Sequence, residues 1–291
     1  MTDPMRFSAS GSGNLTGEMR AAYERDGFLL LENFVGSEDC NSLLERMTQL
    51  VDTFDPATLK TVFDTSEQGH ARNRYFRESG DKIRFFFEPG AFDASGALIA
   101  DKHQALNKVG HALHDLDPVF DGFCRCPQNS ALVAGLGLTD PGLIQSMFMF
   151  KSPRIGGEVT WHQDATFLST QPETCVGLWF ALEDATIENG CLYGLPGAHL
   201  GGVRQRYGYD EAGELIMDVL DPAPWPEEAQ VALQAPRGTL IVLHGAAPHC
   251  SGPNLSAKPR RAFALHVIDR AAHWRSDNWL TRSANMPVRG F

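Results

Sequence analysis

The segment GGEVTWHQDATFL, residues 156–168, places His162 and Asp164 two positions apart. In a β-strand, residues i and i+2 point to the same face, so both side chains would reach the same ion. The spacing alone carries little weight. Ten histidines in a chain of 291 residues with 36 acidic side chains would give about one such pair by chance. The pair becomes informative only together with partners elsewhere in the chain.

Those partners lie downstream, in LIVLHGAAPHCSGPNLSAKPRRAFALHVID. His249 is expected at the end of one strand, and Arg260, eleven residues later, at the start of the next. Two imidazoles and one carboxylate on one face of an ion leave the opposite face open, which is typical of non-haem Fe(II) oxygenases. The open positions can take an α-keto acid and then dioxygen. An arginine can hold the distal carboxylate of that acid by a bidentate, charge-assisted pair.

His244 competes with His249 for the third position. It lies within the apolar run LIVLHG, where a neutral, hydrogen-bonded histidine is common, whereas His249 precedes a polar turn. We therefore favour His249. His111 and His114 fall three residues apart on a predicted helix and are interpreted as surface or interface residues, because no carboxylate stands at a matching spacing.

Helical and strand patterns alternate in the first half of the chain. A short helix through EMRAAYERDG is expected to end at Gly27, and FLLLENFV follows as a buried strand. Ser37 then caps a helix with apolar residues at helical spacing. A further helix is predicted from about Lys102 to Asp117, with one apolar face formed by Leu106, Val109, Leu113 and Leu116.

After about residue 140 the pattern changes to short β-rich runs separated by turns. Asn189-Gly190 lies between two of these runs and is a strong hairpin signal. Strands without alternating helices predict a sandwich or barrel. We expect a disordered tail over residues 1–15, a single domain over 16–291, a β core at about 141–272, and an irregular insertion or lid at 201–235.

Composition excludes several classes of protein. The chain carries 25 Lys and Arg against 36 Asp and Glu, a formal charge of -11, so we expect no binding to nucleic acid or anionic membranes. No apolar stretch approaches the roughly 20 residues that span a bilayer, and the N-terminus does not resemble a signal peptide. Six scattered cysteines fit reduced thiols. These features favour a cytoplasmic protein.

HQD at 162–164, ENGCLYGLPGAH at 188–199 and HCSGPN followed by Arg260 resemble the phytanoyl-CoA dioxygenase family of iron- and 2-oxoglutarate-dependent oxygenases. The segments GDKIRFFFE, NKVGHALHDLDPVF, QSMFMFK and EDATIENGCL are similar to its branch of phytanoyl-CoA dioxygenase domain-containing proteins. The resemblance covers about residues 20–285 and is weakest at 201–235. It implies a double-stranded β-helix, or jelly roll, with the N-terminal helices packed around it.

The resemblance also implies roles for individual residues. It makes His162, Asp164 and His249 the iron ligands, and it makes Arg260 with Ser251 the anchor of the 2-oxoglutarate C5 carboxylate. Further residues are implied to line the co-substrate pocket: Lys82, Met147, Gln163 and Trp179. His199 is implied to be structural. From the residues alone, Phe86, Phe148 and Trp161, together with Phe85 and Phe87, are candidates to face an apolar substrate.

The function expected from these features is hydroxylation of an unactivated C–H bond in a small apolar organic acid, lipid-like or acyl substrate. Fe(II), 2-oxoglutarate and dioxygen take part, and succinate and carbon dioxide are released. The acidic balance of the chain weighs modestly against a polyanionic CoA thioester. Two other classes stay open: a catalytically silent jelly-roll binding protein, and a zinc-dependent hydrolase or isomerase. The expected partner is a small molecule.

Overall fold

The protein is seen in a computed structural model that describes residues 4–9, 11–56, 74–93 and 97–291. Within these ranges the strands are β1 (Arg6–Ser8), β2 (Phe28–Glu32), β3 (Ile83–Phe87), β4 (Leu106–His111), β5 (Pro141–Met149), β6 (Val159–His162), β7 (Thr170–Gln171), β8 (Val176–Ala181), β9 (Leu192–Gly194), β10 (Gln205–Tyr209), β11 (Leu215–Val219), β12 (Val231–Leu233), β13 (Leu240–His244), β14 (His249–Ser251), β15 (Ala262–Asp269) and β16 (His273–Trp274). The α-helices are α1 (Gly17–Asp26), α2 (Ser37–Thr53), α3 (Arg74–Arg77), α4 (Lys102–Ala105), α5 (Leu113–Leu116), α6 (Pro118–Cys124) and α7 (Pro127–Gly135).

Two β-sheets form the centre of the fold. The larger sheet has the strand order β1-β2-β13-β8-β15-β5-β4-β3, and the smaller has the order β12-β9-β14-β6. Strands β1 and β2 are parallel, while the neighbours of β8, β14 and β15 run antiparallel to them. The expected fold class, mainly β with a jelly-roll core and N-terminal helices packed around it, is confirmed.

Strand β8, VGLWFA, is buried along its whole length. Such a continuous apolar strand is typical of a sheet that is covered on both faces. On one face Phe180 packs against the ring of Phe34, which precedes α2, and against the ring of Phe123, which lies in α6. On the other face Trp179 belongs to an apolar cluster with Leu192 of the smaller sheet. The helices thus cover one face of the larger sheet, and the smaller sheet covers the other.

The early elements follow the sequence closely. Helix α1 ends at Gly27, whose φ of 81° is left-handed, as Gly permits at a helix end. A Cβ there would lie 2.5 Å from Nδ1 of His199, so this Gly also admits a close contact. Helix α2 was predicted to be capped by Ser37, but Ser37 is its first helical residue and Gly36 is the N-cap, without a side-chain capping bond. Within the described ranges, each helix is too short or too polar to cross a bilayer.

The predicted helix over Lys102–Asp117 is wrong in its middle. Only Lys102–Ala105 and Leu113–Leu116 are helical, and the residues between them form β4, which pairs with β3 and β5. Gly110 allows β4 to approach β5, since a Cβ would lie 3.2 Å from Cγ of Met147. Pairing with two neighbouring strands outweighs the helical spacing of the apolar residues.

The two histidines that were interpreted as surface or interface residues are instead buried, at the end of this strand and just after it. His111 and His114 have no exposed surface. Nδ1 of His111 lies 2.7 Å from Oγ of Ser79, and Nδ1 of His114 lies 2.8 Å from Oγ of Ser146. Both imidazoles are therefore hydrogen-bonded interior groups, and the surface interpretation is wrong.

Three other local expectations need correction. Arg6–Ser8 form an edge strand beside β2, in the segment expected to be a disordered tail. Asn189-Gly190 does form a turn, with Gly190 at a φ of 83°. However, it joins β8 of the larger sheet to β9 of the smaller one, so the two runs are not a hairpin. The 201–235 segment contains the antiparallel pair β10–β11, followed by β12.

Candidate metal centre

Three side chains that can bind a metal meet between the two sheets. His162 at the end of β6 is paired in register with His249 at the start of β14. Asp164 follows His162 in a short 3-10 turn, Asp164–Thr166. One potential ligand atom from each residue lies within 4.8 Å of the other two, and the two imidazole centroids are 4.2 Å apart. The sequence pair thus shares its site with His249, in an arrangement able to hold one ion.

Hydrogen bonds to the backbone set the protonation of both imidazoles. Nδ1 of His162 lies 2.8 Å from the carbonyl of Thr160, and Nδ1 of His249 lies 3.1 Å from the carbonyl of Ala247. A carbonyl only accepts, so each Nδ1 carries a proton, and in the neutral imidazole Nε2 is the atom with the lone pair. Burial lowers the pKa of His162 to about 4. Neutral imidazoles with free Nε2 atoms are the form that binds metals.

Asp164 supplies the negative charge of the site. Burial acts to raise its pKa, but the neighbouring imidazole of His266 outweighs burial and holds the pKa below its usual range. Nε2 of His266 lies 3.2 Å from Oδ2, while Oδ1 faces Nε2 of His249 at 3.8 Å. Two lone pairs and a carboxylate directed at one point repel one another unless a cation lies between them, so this donor set fits a divalent metal.

Gly177, in the middle of β8, makes room for that carboxylate. A Cβ on Gly177 would lie 2.7 Å from Oδ2 of Asp164, closer than van der Waals contact allows. We therefore expect Gly177→Ala to push the carboxylate away and weaken Fe(II) or Mn(II) binding by about 10–100-fold, the range seen when support for a ligand is lost. Titration of the metal-free protein measures this. Gly252→Ala is the control, because a Cβ there meets nothing within 4 Å. Equal metal affinity in both variants would contradict the prediction.

A cavity of about 210 Å³ contains the three side chains and extends to Arg260. The cavity runs along β5, whose alternate residues Gln145, Met147 and Met149 face into it. Gln145 is paired with His266, beside Asp164, whereas Met149 is paired with Ala262, two residues after Arg260. The metal-binding side chains and Arg260 therefore line one cavity at different levels along the strands.

Arg260 is a buried cation in this cavity, with 2% of its surface exposed. Its Nε and Nη1 have no hydrogen-bond partner among the described residues, and burial lowers its pKa to about 10. The guanidinium carbon lies 5.4 Å from the ring centre of Trp179, within cation–π range. Burying a guanidinium without an ion-paired carboxylate costs desolvation free energy. A ligand carboxylate bound at this end of the cavity would offset that cost.

The other residues expected around the co-substrate divide into two groups. Ser251, Met147 and Trp179 line the cavity. Ser251 follows His249 by two residues on β14, so both side chains share a face of the strand. Lys82 does not line the cavity: its side chain is 47% exposed, and its Nζ donates to the carbonyl of Glu78. The placement of Lys82 in the pocket is therefore corrected.

Gln163 is also turned away from the cavity. Its Nε2 donates to the carbonyls of Gly202 and Ala246, at 2.8 and 2.7 Å, and its Oε1 accepts from the amide of Arg204 at 2.8 Å. Successive residues of a strand face opposite sides, so a glutamine between His162 and Asp164 cannot share their direction. Gln163 instead attaches β6 to the segment that leads into β10.

The proposed substrate-facing aromatics are not among the residues that line the cavity. Phe148 alternates with Met147 and Met149 and packs against Phe120 and Phe150 on the opposite face of the larger sheet. Phe86 and Phe85 belong to apolar clusters, with Phe86 packed behind Phe76. Phe87 is buried beside Phe92. Trp161 alternates with His162. The aromatic side chains that do line the cavity, besides Trp179, are Phe76, Phe167 and Trp279.

Sequence reasoning missed several polar residues of the cavity, among them Lys108, His111 and Gln145. Lys108 is 8% exposed, and burial lowers its pKa to about 7. Its Nζ lies 3.5 Å from Sδ of Met147. These residues were assigned to a helix or left without a role. The available signal was Gly110 inside the supposed helix, together with the β-branched Val109.

His244, which competed for the third position, and His199, which was implied to be structural, both lie outside the cavity. Nδ1 of His244 accepts from the amide of Ala246 at 3.1 Å. Nε2 of His199 lies 3.1 Å from the carbonyl of Glu24, in α1, and its ring centre lies 5.1 Å from that of His244. The two imidazoles join helix α1 to the larger sheet. Neither belongs to the group of potential metal ligands, which agrees with the preference for His249.

Comparison of the sequence with known families gives a match over residues 23–262 to the family described as Phytanoyl-CoA dioxygenase (PhyH). The chain is 41% identical over 278 residues to a phytanoyl-CoA dioxygenase of Arabidopsis thaliana, which covers 95% of this chain and 96% of that protein. It is 43% identical over 271 residues to the phytanoyl-CoA dioxygenase domain-containing protein 1 homolog of Dictyostelium discoideum, covering 91% and 96% of the two chains.

Solved structures share the fold at low sequence identity. The epimerase SnoN, crystallised with Fe³⁺, alpha ketoglutarate and nogalamycin RO, matches with a TM-score of 0.64 at 15% identity, over 92% of this chain and 89% of that one. EctD from S. alaskensis, crystallised with 2-oxoglutarate and 5-hydroxyectoine, matches with a TM-score of 0.62 at 19% identity, over 97% and 89%. The jelly-roll architecture is thus common to all three chains.

Proposed function

This chain belongs to the phytanoyl-CoA dioxygenase family, and from that premise we propose that it hydroxylates a C–H bond of a small, largely apolar organic acid or acyl compound. It is a non-haem dioxygenase that depends on Fe(II) and 2-oxoglutarate. In the proposed site His162, Asp164 and His249 bind the iron, and Arg260 with Ser251 binds the C5 carboxylate of 2-oxoglutarate. The observation that carries the proposal is that the buried Arg260, whose Nε and Nη1 have no hydrogen-bond partner among the described residues, lies in the same cavity as the three potential metal ligands.

Iron with 2-oxoglutarate and dioxygen supplies the oxidising power, releasing succinate and carbon dioxide. The side chains of the protein orient the reactants. Asp164 and the imidazoles of His162 and His249 would hold the iron, and the cavity that they line would admit the keto acid beside it. Arg260, positioned by the ring of Trp179, holds the far end of the co-substrate so that its keto acid end is directed to the metal. Orientation of this kind is the main contribution that a protein makes to cofactor chemistry.

The apolar walls of the cavity support an apolar substrate. Phe76 and Trp279 are stacked, with ring centres 4.4 Å apart, and Phe167 lies beside His162 with a centroid distance of 6.4 Å. These rings line the cavity near the metal-binding residues and would contact the carbon chain to be oxidised. The formal charge of -11 disfavours a free, polyanionic CoA thioester as substrate.

The two alternative classes account for less of the site. A zinc hydrolase would use the same ligand types, but its chemistry would give no role to a buried arginine in the metal cavity. A silent binding protein would not need both Nε2 lone pairs directed towards one carboxylate. The oxygenase function accounts for all four side chains.

The proposed function is tested with purified protein, Fe(II), 2-oxoglutarate and oxygen. We expect succinate in an amount stoichiometric with oxygen consumed, and faster formation in the presence of an extract that contains apolar acids. Mass spectrometry of that extract should then detect a product heavier by one oxygen atom. The same mixture with Zn(II) in place of Fe(II) should form no succinate. Absence of succinate from the iron-loaded protein with every substrate pool would rule out the oxygenase function.

A further inference from the structure

Lys151 is a buried cation that the proposed chemistry has not yet used. It follows β5, lines the same cavity as Arg260 and is 4% exposed. Its φ of 42° is left-handed, a conformation that residues with side chains adopt only rarely. Gly190 makes room for its stem, since a Cβ on Gly190 would lie 2.8 Å from Cε of Lys151. The surroundings therefore hold this side chain in one place.

The ammonium group of Lys151 determines which way the Ser251 hydroxyl can point. Nζ donates to the carbonyl of Gly157 at 2.5 Å and to Oγ of Ser251 at 3.0 Å. An ammonium has donors and no acceptor, so Oγ of Ser251 must accept this bond. The hydroxyl proton of Ser251 is then available to a second acceptor in the cavity that Ser251 also lines.

The charges at this end of the cavity do not balance. The amide of Arg260 donates to the carbonyl of Lys151 at 3.3 Å, so the two cationic residues are neighbours. Glu88 is the buried carboxylate beside them. Burial lowers the pKa of Lys151 to about 7, with a further contribution from Arg260. Two cations beside one carboxylate leave a net positive charge, which one additional negative charge would neutralise.

We propose that Lys151 is a specificity-determining residue for the co-substrate, which selects keto acids that carry a distal carboxylate. Its ammonium adds a second positive charge to that of Arg260 and orients the hydroxyl of Ser251, so that a carboxylate meets donors from three side chains. The inference rests on the proposed function, because it assigns the ligand of this end of the cavity as the C5 carboxylate of 2-oxoglutarate.

The test compares two keto acids bound to the anaerobic Fe(II) protein, by titration of the visible charge-transfer band and by calorimetry. One is 2-oxoglutarate, and the other is 2-oxopentanoate, which has the same chain length and no distal carboxylate. Loss of a charged hydrogen bond is worth about 10–100-fold in affinity. We expect Lys151→Met to weaken 2-oxoglutarate binding by about that factor and to leave 2-oxopentanoate binding within about twofold. Lys151→Arg should recover most of the affinity.

Lys258→Met is the matched control, because Lys258 is exposed on the loop between β14 and β15. It should bind both acids as the unaltered protein does. If Lys151→Met does not fold, Lys151→Gln provides the same comparison with a polar side chain. Unchanged 2-oxoglutarate affinity in the variant, or an equal loss for both acids, would overturn the role of Lys151. Failure of the unaltered protein to bind either acid would instead contradict the proposed function, and this inference with it.

Discussion

Replacing His249 with alanine is expected to abolish succinate formation, whereas replacing His244 is not. Both histidines lie in LHGAAPH, but only His249 presents a free Nε2 to Asp164 and His162. Loss of a hydrogen-bond partner of a metal ligand already costs about 10–100-fold in metal affinity. Loss of the ligand itself should therefore weaken Fe(II) binding by at least about 100-fold.

The measurement is Fe(II) or Mn(II) affinity together with succinate yield at saturating 2-oxoglutarate. His244→Ala is the matched control, because its imidazole is partly buried and hydrogen-bonded yet lies outside the cavity. Circular dichroism establishes that each variant is folded. Should His244→Ala lose the metal while His249→Ala retains it, the proposed ligand set would be wrong.

Replacing Arg260 with methionine is expected to raise the KM for 2-oxoglutarate by at least about 30-fold. Removing one partner of a buried, hydrogen-bonded charge pair costs about 2–5 kcal/mol, and each 1.4 kcal/mol is a factor of ten. Methionine fills a similar volume, so the cavity should keep its shape beside Trp179. The kcat at very high 2-oxoglutarate should fall much less than kcat/KM, because Arg260 binds the co-substrate away from the reacting bond.

Arg261 offers the neighbouring control. It pairs with Glu183 at 3.6 Å, and its side chain is 39% exposed. Arg261→Met should leave the KM for 2-oxoglutarate within about twofold of the original value. A KM that is unaffected in Arg260→Met, or one that rises equally in both variants, would show that Arg260 does not anchor the co-substrate.

That His162, Asp164 and His249 come together could be predicted from sequence, because each has a local signal. His162 and Asp164 are two residues apart near a strand, and His249 and Arg260 flank a polar turn between two strands. The tautomers of the histidines could not be predicted, because the carbonyls of Thr160 and Ala247 become partners only after folding. The role of Gly177 depends on the register between β8 and its neighbours, which the sequence does not encode locally.

The pocket residues were harder to predict, because facing direction depends on register and on the type of element. Lys82 and Lys108 both lie near a hairpin of the larger sheet, but only Lys108 faces inwards. A helical pattern over 102–117 concealed β4 and placed Lys108 in the wrong element. Phe148 and Trp161 failed as pocket residues for a simpler reason: each alternates with a neighbour that does line the cavity.

The two ends of the cavity are built by different parts of the chain. Lys151, Ser251 and Arg260 follow or belong to strands of the jelly roll, whereas Phe76 and Trp279 come from α3 and the segment after β16. Their stacked contact holds together two segments that lie 203 residues apart in the chain. Substitutions in α3 or in the C-terminal segment can therefore exchange one oxidisable molecule for another while iron and keto acid chemistry stays intact. Laboratory evolution of new substrate preferences should start at these two segments and leave the strands unaltered.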